Sequence, residues 1–201
     1  MKKMNGFEKR AAKIRQKIMR VTLEMLKTWE PKRMRIADIA KAADVSQVTI
    51  YNYFGSKEAL IEESLKDFLD RAIDGFEEVL NQKRSIKEIV EYTIIQEKET
   101  YAAIPPSLMK KMMLEDQEMF RYIQERYEQA VLPLMIRMLE EGKARNEISS
   151  KVSVNSVLIF MNFYMQNAGE MLEIAQKQDN RDAFLEEMVH LFFYGISGRE
   201  E

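Results

Sequence analysis

Apolar residues recur at helical spacing from near the start of the chain. Between residues 8 and 29, Ile14, Ile18, Val21, Met25 and Trp29 follow at steps of 4, 3, 4 and 4, which aligns them on one helical face. Lys13, Lys17, Arg20 and the Lys9-Arg10 pair fall largely off that stripe. The helix is expected to stop before Pro31, because the residue preceding a proline disfavours the helical region. "RIADIAKAA" predicts a second, shorter helix with Ile36, Ile39, Ala40 and Ala43 inward. "DVS" reads as a turn, and Ser46 as the N-cap of a third helix. Ile50 and Phe54, one turn apart, predict that helix's buried side. Gly55 supplies the left-handed residue that ends it, and Ser56 caps a fourth helix whose Glu58 suits the positive end.

The fourth helix spans about 57–80, with Leu60, Leu65, Phe68, Leu69, Ala72, Ile73 and Phe76 on a broad apolar face. Further helices are expected near 85–102, 107–114, 116–141, 151–177 and 181–196. They are separated by "NQKRS", "IPPS", "EGKARNEISS" and "KQDNR". Pro133 predicts a kink, since a proline inside a helix removes a hydrogen bond. No internal repeat or low-complexity tract is present. The fold class is therefore all-α: a three-helix head at residues 1–56 and a larger helical domain at 57–201.

Composition agrees with this reading. Four Pro and seven Gly among 201 residues leave few breakers. Fifteen Met residues fit either adaptable packing or a tolerant pocket. With no Cys, disulfide and thiolate chemistry are excluded. His190 is the only His, so neither a metal centre nor a cofactor site is expected. "MKKMNGFEKR" lacks the apolar run of a signal peptide, and "VLIFMNFYM" is too short to span a bilayer. A cytoplasmic protein without membrane association is expected.

Charge divides the chain. Residues 1–60 hold 14 Lys or Arg against 6 Asp or Glu, and residues 61–201 hold 17 against 27. A basic head on an acidic body suits binding to a polyanion. Three short helices with a tight turn before the third make a helix-turn-helix, whose second helix of the pair enters the major groove. With Ile50 and Phe54 inward, Gln47, Val48, Thr49, Tyr51 and Asn52 lie on or near the outer side. Gln and Asn amides pair with adenine, and Thr or Val methyls meet the thymine methyl. The hydroxyls of Tyr51 and Tyr53 suit phosphates. Lys57, in the first turn of the fourth helix, joins them beside free backbone N–H groups.

"IADIAKAADVSQVTIYNYFGSKEAL" resembles the DNA-binding head of the TetR family of transcriptional regulators. The matching positions are Ile39-Ala40, Ala43 to Ser46, Tyr51 to Phe54, and Ser56 to Leu60. The head pattern covers roughly residues 10–60; the rest matches in length, helical content and the terminal "LFFYGI". Asp44 stands where the family usually has Gly, Arg35 where a Thr or Ser often caps the second helix, and Val48 where Gly is frequent. Ala37 replaces a longer polar reader in some members. Arg35 exchanges a cap for a phosphate contact.

The resemblance implies a ligand-responsive regulator, most often a repressor. It would bind palindromic double-stranded DNA as a homodimer and be released by a small, largely apolar or aromatic effector. The last two helices are then the expected interface, through Phe184, Leu185, Met188, Leu191, Phe192 and Gly195, with Val157, Leu158 and Met161 on the other helix. Tyr92 and Asn162 are candidate polar groups of the effector pocket, against core or interface hydrogen bonding. The alternative is a DNA-binding adaptor controlled by a protein or by no ligand. An enzyme is not expected: no phosphate loop or nucleophile–His pair occurs. Glu99, Glu115, Asp116 and Glu118, without His, read as surface charge.

Overall fold

The structure, a computed structural model, describes residues 5–89, 92 and 116–167, together with 170, 174, 175, 177–180, 183, 184, 187, 188, 190 and 191. Among the described residues every regular element is a helix. The chain divides into two compact units, one of residues 1–75 and 98–126, the other of 76–97 and 127–201.

In the first unit, α1 (Gly6–Leu26) opens on a capping box: the Asn5 side chain accepts from the Phe7 and Glu8 amides, and Glu8 accepts from the Asn5 amide at 2.8 Å. Its end falls three residues before the expected one, as the Thr28 and Trp29 amides both turn back to the Met25 carbonyl. The buried face also differs from the expected stripe. Ile18, Met19, Thr22, Leu23 and Leu26 are buried, whereas Ile14 and Trp29 are exposed. Two adjacent faces of this helix are apolar, and tertiary contacts cover one of them. Val21 and Met25 are partly buried against the core and, with Trp29, line an open groove of about 510 Å³. Thr22 is tolerated at 0% exposure because its hydroxyl donates to the Ile18 carbonyl at 2.9 Å.

α2 (Ile36–Ala42) ends in a Schellman motif: the Val45 amide donates to the Ala40 carbonyl at 3.0 Å and the Asp44 amide to Lys41 at 3.2 Å. Asp44 takes the left-handed conformation this requires, at φ 49°. Asp tolerates that region better than most residues, which is how the turn survives without glycine. α3 (Gln47–Phe54) follows, and Gly55 ends it at φ 75°. α4 (Lys57–Asn81) starts on Ser56, whose hydroxyl accepts from the Ala59 amide. Ile18, Met34, Ile39, Ile50, Leu60 and Leu65 form the centre of this unit's core.

α5 (Gln117–Arg126), capped by the Asp116 carboxylate on the Met119 amide at 3.0 Å, seats Met119 in the same core. Arg126 stands 2.7 Å from Asp70 of α4, and Lys66 lies over the Tyr122 ring. Burial first, then the hydrogen bond to Asp70, push the Tyr122 hydroxyl up to about 12.

The second unit begins with the last turns of α4. Residues 86–89 are helical, and α6 (Leu132–Ala144) and α7 (Val154–Gln166) follow. Tyr127–Val131 winds as a π-helix immediately before α6. The cause is Pro133, which cannot donate to a carbonyl one turn back, so the preceding backbone widens to re-pair its groups. Val79, Leu80, Ile86, Leu139, Ile148 and Val157 make this unit's core. Gly142 is required there: a Cβ on it would meet Ile86 Cγ1 at 2.7 Å and Ile148 Cδ1 at 3.0 Å. The expected helix at 107–114 lies outside the described residues, as do most of the positions expected beyond 167.

Candidate nucleic-acid interface

α3 is eight residues long, about 12 Å at 1.5 Å per residue, and the major groove is about 12 Å wide. Its inner side is pinned by Ile50 at 0% and Phe54 at 6% exposure. Its outer side presents Gln47, Val48, Tyr51 and Asn52 to solvent, with Val48 66% and Tyr51 50% exposed. An apolar Val and a tyrosine ring held in water are unfavourable by roughly 25 cal/mol per Å² of apolar surface. Their exposure therefore leaves a contact surface ready for a partner.

The remaining site residues are more constrained. Ser46 caps α3, accepting from the Thr49 amide at 3.0 Å, and its hydroxyl also lies 2.8 Å from the Thr49 hydroxyl. Thr49 is half-buried. Tyr53 is half-buried and packs against the first core, its ring 6.2 Å from that of Phe54. Arg35 is exposed but forms a two-pronged pair with Asp38, at 2.7 and 2.9 Å. Hydrogen bonding first and charge second raise the guanidinium above its ordinary value. The same hydrogen bond lowers the Asp38 carboxyl. As expected, Arg35 provides no side-chain cap for α2; any phosphate it meets competes with Asp38.

Lys57 takes a place the sequence does not reveal. Its ammonium donates to the Pro31 carbonyl at 3.1 Å and the Met34 carbonyl at 3.2 Å, and its side chain is only 24% exposed. Two of its three donors hold the link between α1 and α2, so at most one remains for a phosphate. No motif flags this, because the accepting carbonyls lie more than 20 residues upstream.

The two candidate effector residues stand in different surroundings. Tyr92 is half-buried against the second core, with the Arg84 guanidinium 5.7 Å from its ring centre. Asn162 is exposed on α7. Of the residues expected at an interface on α7, Val157 is 2% exposed, which places it in the core, and Leu158 is partly buried against that core. Among the described side chains of that helix, Ile159, Phe160 and Phe163 are exposed apolar ones, at 50%, 43% and 59%. The helix carries no charge at all, so its sequence does not distinguish the core face from the outward one. Leu191 is 61% exposed; Met161, Leu185, Phe192 and Gly195 lie outside the described side chains. Among the described residues no cluster of three potential metal ligands occurs, and no helix is long and apolar enough to cross a membrane.

Residues 18–64 match the family model of the bacterial regulatory proteins of the tetR family. That span contains α2, α3, their turn and the start of α4. The chain is 24% identical over 153 residues to the HTH-type transcriptional repressor KstR2 of Mycolicibacterium smegmatis, covering 73% of each. FadR of Bacillus subtilis, solved with stearoyl-CoA, superposes at a TM-score of 0.61 and 23% identity, over 90% of this chain and 98% of that one. A transcriptional regulator of Saccharomonospora viridis, solved with choline, gives 0.72 at 13% identity, over 94% and 100%. The turn, the caps and the outward face of α3 all lie within the span that matches the tetR family model, so residues 18–64 are similar to the head of those regulators and the whole chain shares their fold.

Proposed function

We propose that the chain is a ligand-responsive repressor that binds a palindromic operator as a homodimer in the cytoplasm and leaves it when a small, largely apolar effector binds. In this reading residues 1–56 form the DNA-binding domain and residues 57–201 bind the effector and the second copy. The observation that carries it is α3: its buried side is locked by Ile50 and Phe54 while Gln47, Val48, Tyr51 and Asn52 stand in solvent. Gln47 and Asn52 read base edges, Val48 and the Thr49 methyl meet thymine methyls, and Tyr51 contacts phosphate. Tyr53 supports Phe54, Arg35 exchanges Asp38 for phosphate, and Lys57 fixes the 31–34 link with one donor to spare.

One head offers little surface for strong, specific binding, which favours two heads on two half-sites. The exposed Ile159, Phe160 and Phe163 suit contact with a second copy. Stearoyl-CoA in one structural neighbour favours a long apolar effector, with Tyr92 and Asn162 as candidate polar contacts. Selection of bound sequences from random duplexes, repeated with stearoyl-CoA and with choline, tests the reading. A palindromic consensus that is lost with one ligand is expected; no enriched sequence at all would refute it. Against the selected duplex, Tyr51→Ala is expected to bind at least roughly tenfold more weakly, with an unchanged dimer in sedimentation. Equal affinity would remove Tyr51 from the interface.

A further inference from the structure

We propose that the exposed face of α1 is a second, sequence-independent DNA contact, in which Lys9, Lys13, Lys17 and Arg20 hold backbone phosphates beside the groove that α3 enters. The proposal rests on the operator-binding reading above and adds to it a surface outside the helix-turn-helix pair. The four cations follow at steps of four, four and three, which places them on one helical face. All are exposed, and the helix buries other positions, Ile18, Leu23 and Leu26 among them.

Three of the four lack a carboxylate partner among the described residues, whereas several other cations of the unit are paired. Arg15 pairs with Glu63, Lys27 with Glu24, Arg33 with Glu30, Lys66 with Glu62 and Arg126 with Asp70. Lys9, Lys13 and Arg20 have no carboxylate within 4.0 Å among the described residues. Glu24, one turn beyond Arg20, is taken by Lys27 at 2.9 Å. Lys9, Lys13 and Lys17 are spaced i, i+4, where like charges repel by a few tenths of a kcal/mol per pair. From Lys9 to Arg20 the row is of one sign, and such a row gains when a polyanion relieves the repulsion.

Position points to DNA as that polyanion. Lys17 Nζ lies 3.9 Å from Asp44 Oδ2, and Asp44 belongs to the turn that leads into the α3 cap. The stripe thus starts beside the recognition helix and offsets the one carboxylate of the turn. From Lys17 to Lys9 it runs eight residues, about 12 Å, against one phosphate per about 3.4 Å of axis on each strand. Lysine is a flexible point charge and suits phosphate better than base edges.

The full-length Lys9→Gln/Lys13→Gln variant tests this by salt titration on the selected operator and on an unrelated duplex. Losing two phosphate contacts flattens the slope of log Kobs against log salt by about 1.8 per head. The loss is expected on both duplexes, leaving their affinity ratio unchanged. A slope equal to that of the wild type, or a loss confined to the operator, overturns the proposal. So does an equal flattening in Arg121→Gln, an exposed cation on α5. Vesicles containing phosphatidylglycerol provide a further arm: wild-type binding abolished in the double variant, with duplex binding intact, assigns the stripe to a lipid surface and overturns the proposal. If the wild type selects no duplex, the operator reading itself fails, a result distinct from an unchanged slope.

Discussion

Removing the Lys57 ammonium should loosen the head before it touches DNA affinity. In Lys57→Met the stem is kept and the charge is lost, so the Pro31 and Met34 carbonyls lose donors at 3.1 and 3.2 Å. Hydrogen bonds from a charged donor contribute about 1.5–3 kcal/mol each where they are buried. The side chain is 24% exposed, so water reaches part of the site and the upper end does not apply. Met34 is 1% exposed, and its carbonyl is the one left stranded, at about 1–3 kcal/mol. The expected net loss is about 2 kcal/mol. Urea denaturation measures it as a fall in midpoint with an unchanged m value. The folded variant should keep most of the wild-type salt slope on DNA, changing it by less than the roughly 0.9 per head that a lost phosphate contact gives. A stability within about 0.5 kcal/mol of wild type, together with a full unit of lost slope, would refute the structural assignment and return Lys57 to the phosphates.

Two further outcomes follow from packing and ionisation. Gly142→Ala should destabilise by roughly 1 kcal/mol: overpacking costs about 1–3 kcal/mol and the helix propensity gain returns about 1. In an Ile86→Ala background, which removes the atom 2.7 Å away, the same change should become neutral or favourable, and a loss independent of Ile86 would contradict the clash. Tyr122 keeps its proton up to about 12 when folded against 10.0 as an ordinary phenol. Between these values the folded state binds more protons than the unfolded one, so stability falls as pH rises through that window. Comparing urea midpoints near pH 9 and near pH 11, the wild type should lose more than Tyr122→Phe does; equal losses would count against the raised value.

The DNA-binding head was legible in the sequence because its determinants are local. Ser46, Asp44, Gly55 and Ser56 act on backbone within a few residues of themselves, and Ile50 and Phe54 set the inner side of α3 by spacing alone. Pro133 likewise acts on the turn before it, though the sequence does not say that the response is a π-helix rather than a bend. Where two faces of a helix are equally apolar, as in α1 and α7, periodicity cannot choose between them. Only packing decided that Leu23 and Leu26 go inward while Ile14 and Trp29 stay out, and that Val157 joins the core while Phe163 faces solvent. The same holds for Lys57, Arg15 and Gly142, whose partners are distant in sequence. Hydrophobic pattern and capping fix local conformation, whereas the partner of a charge or the occupant of a contact is set by the three-dimensional neighbourhood, which no single stretch of chain encodes.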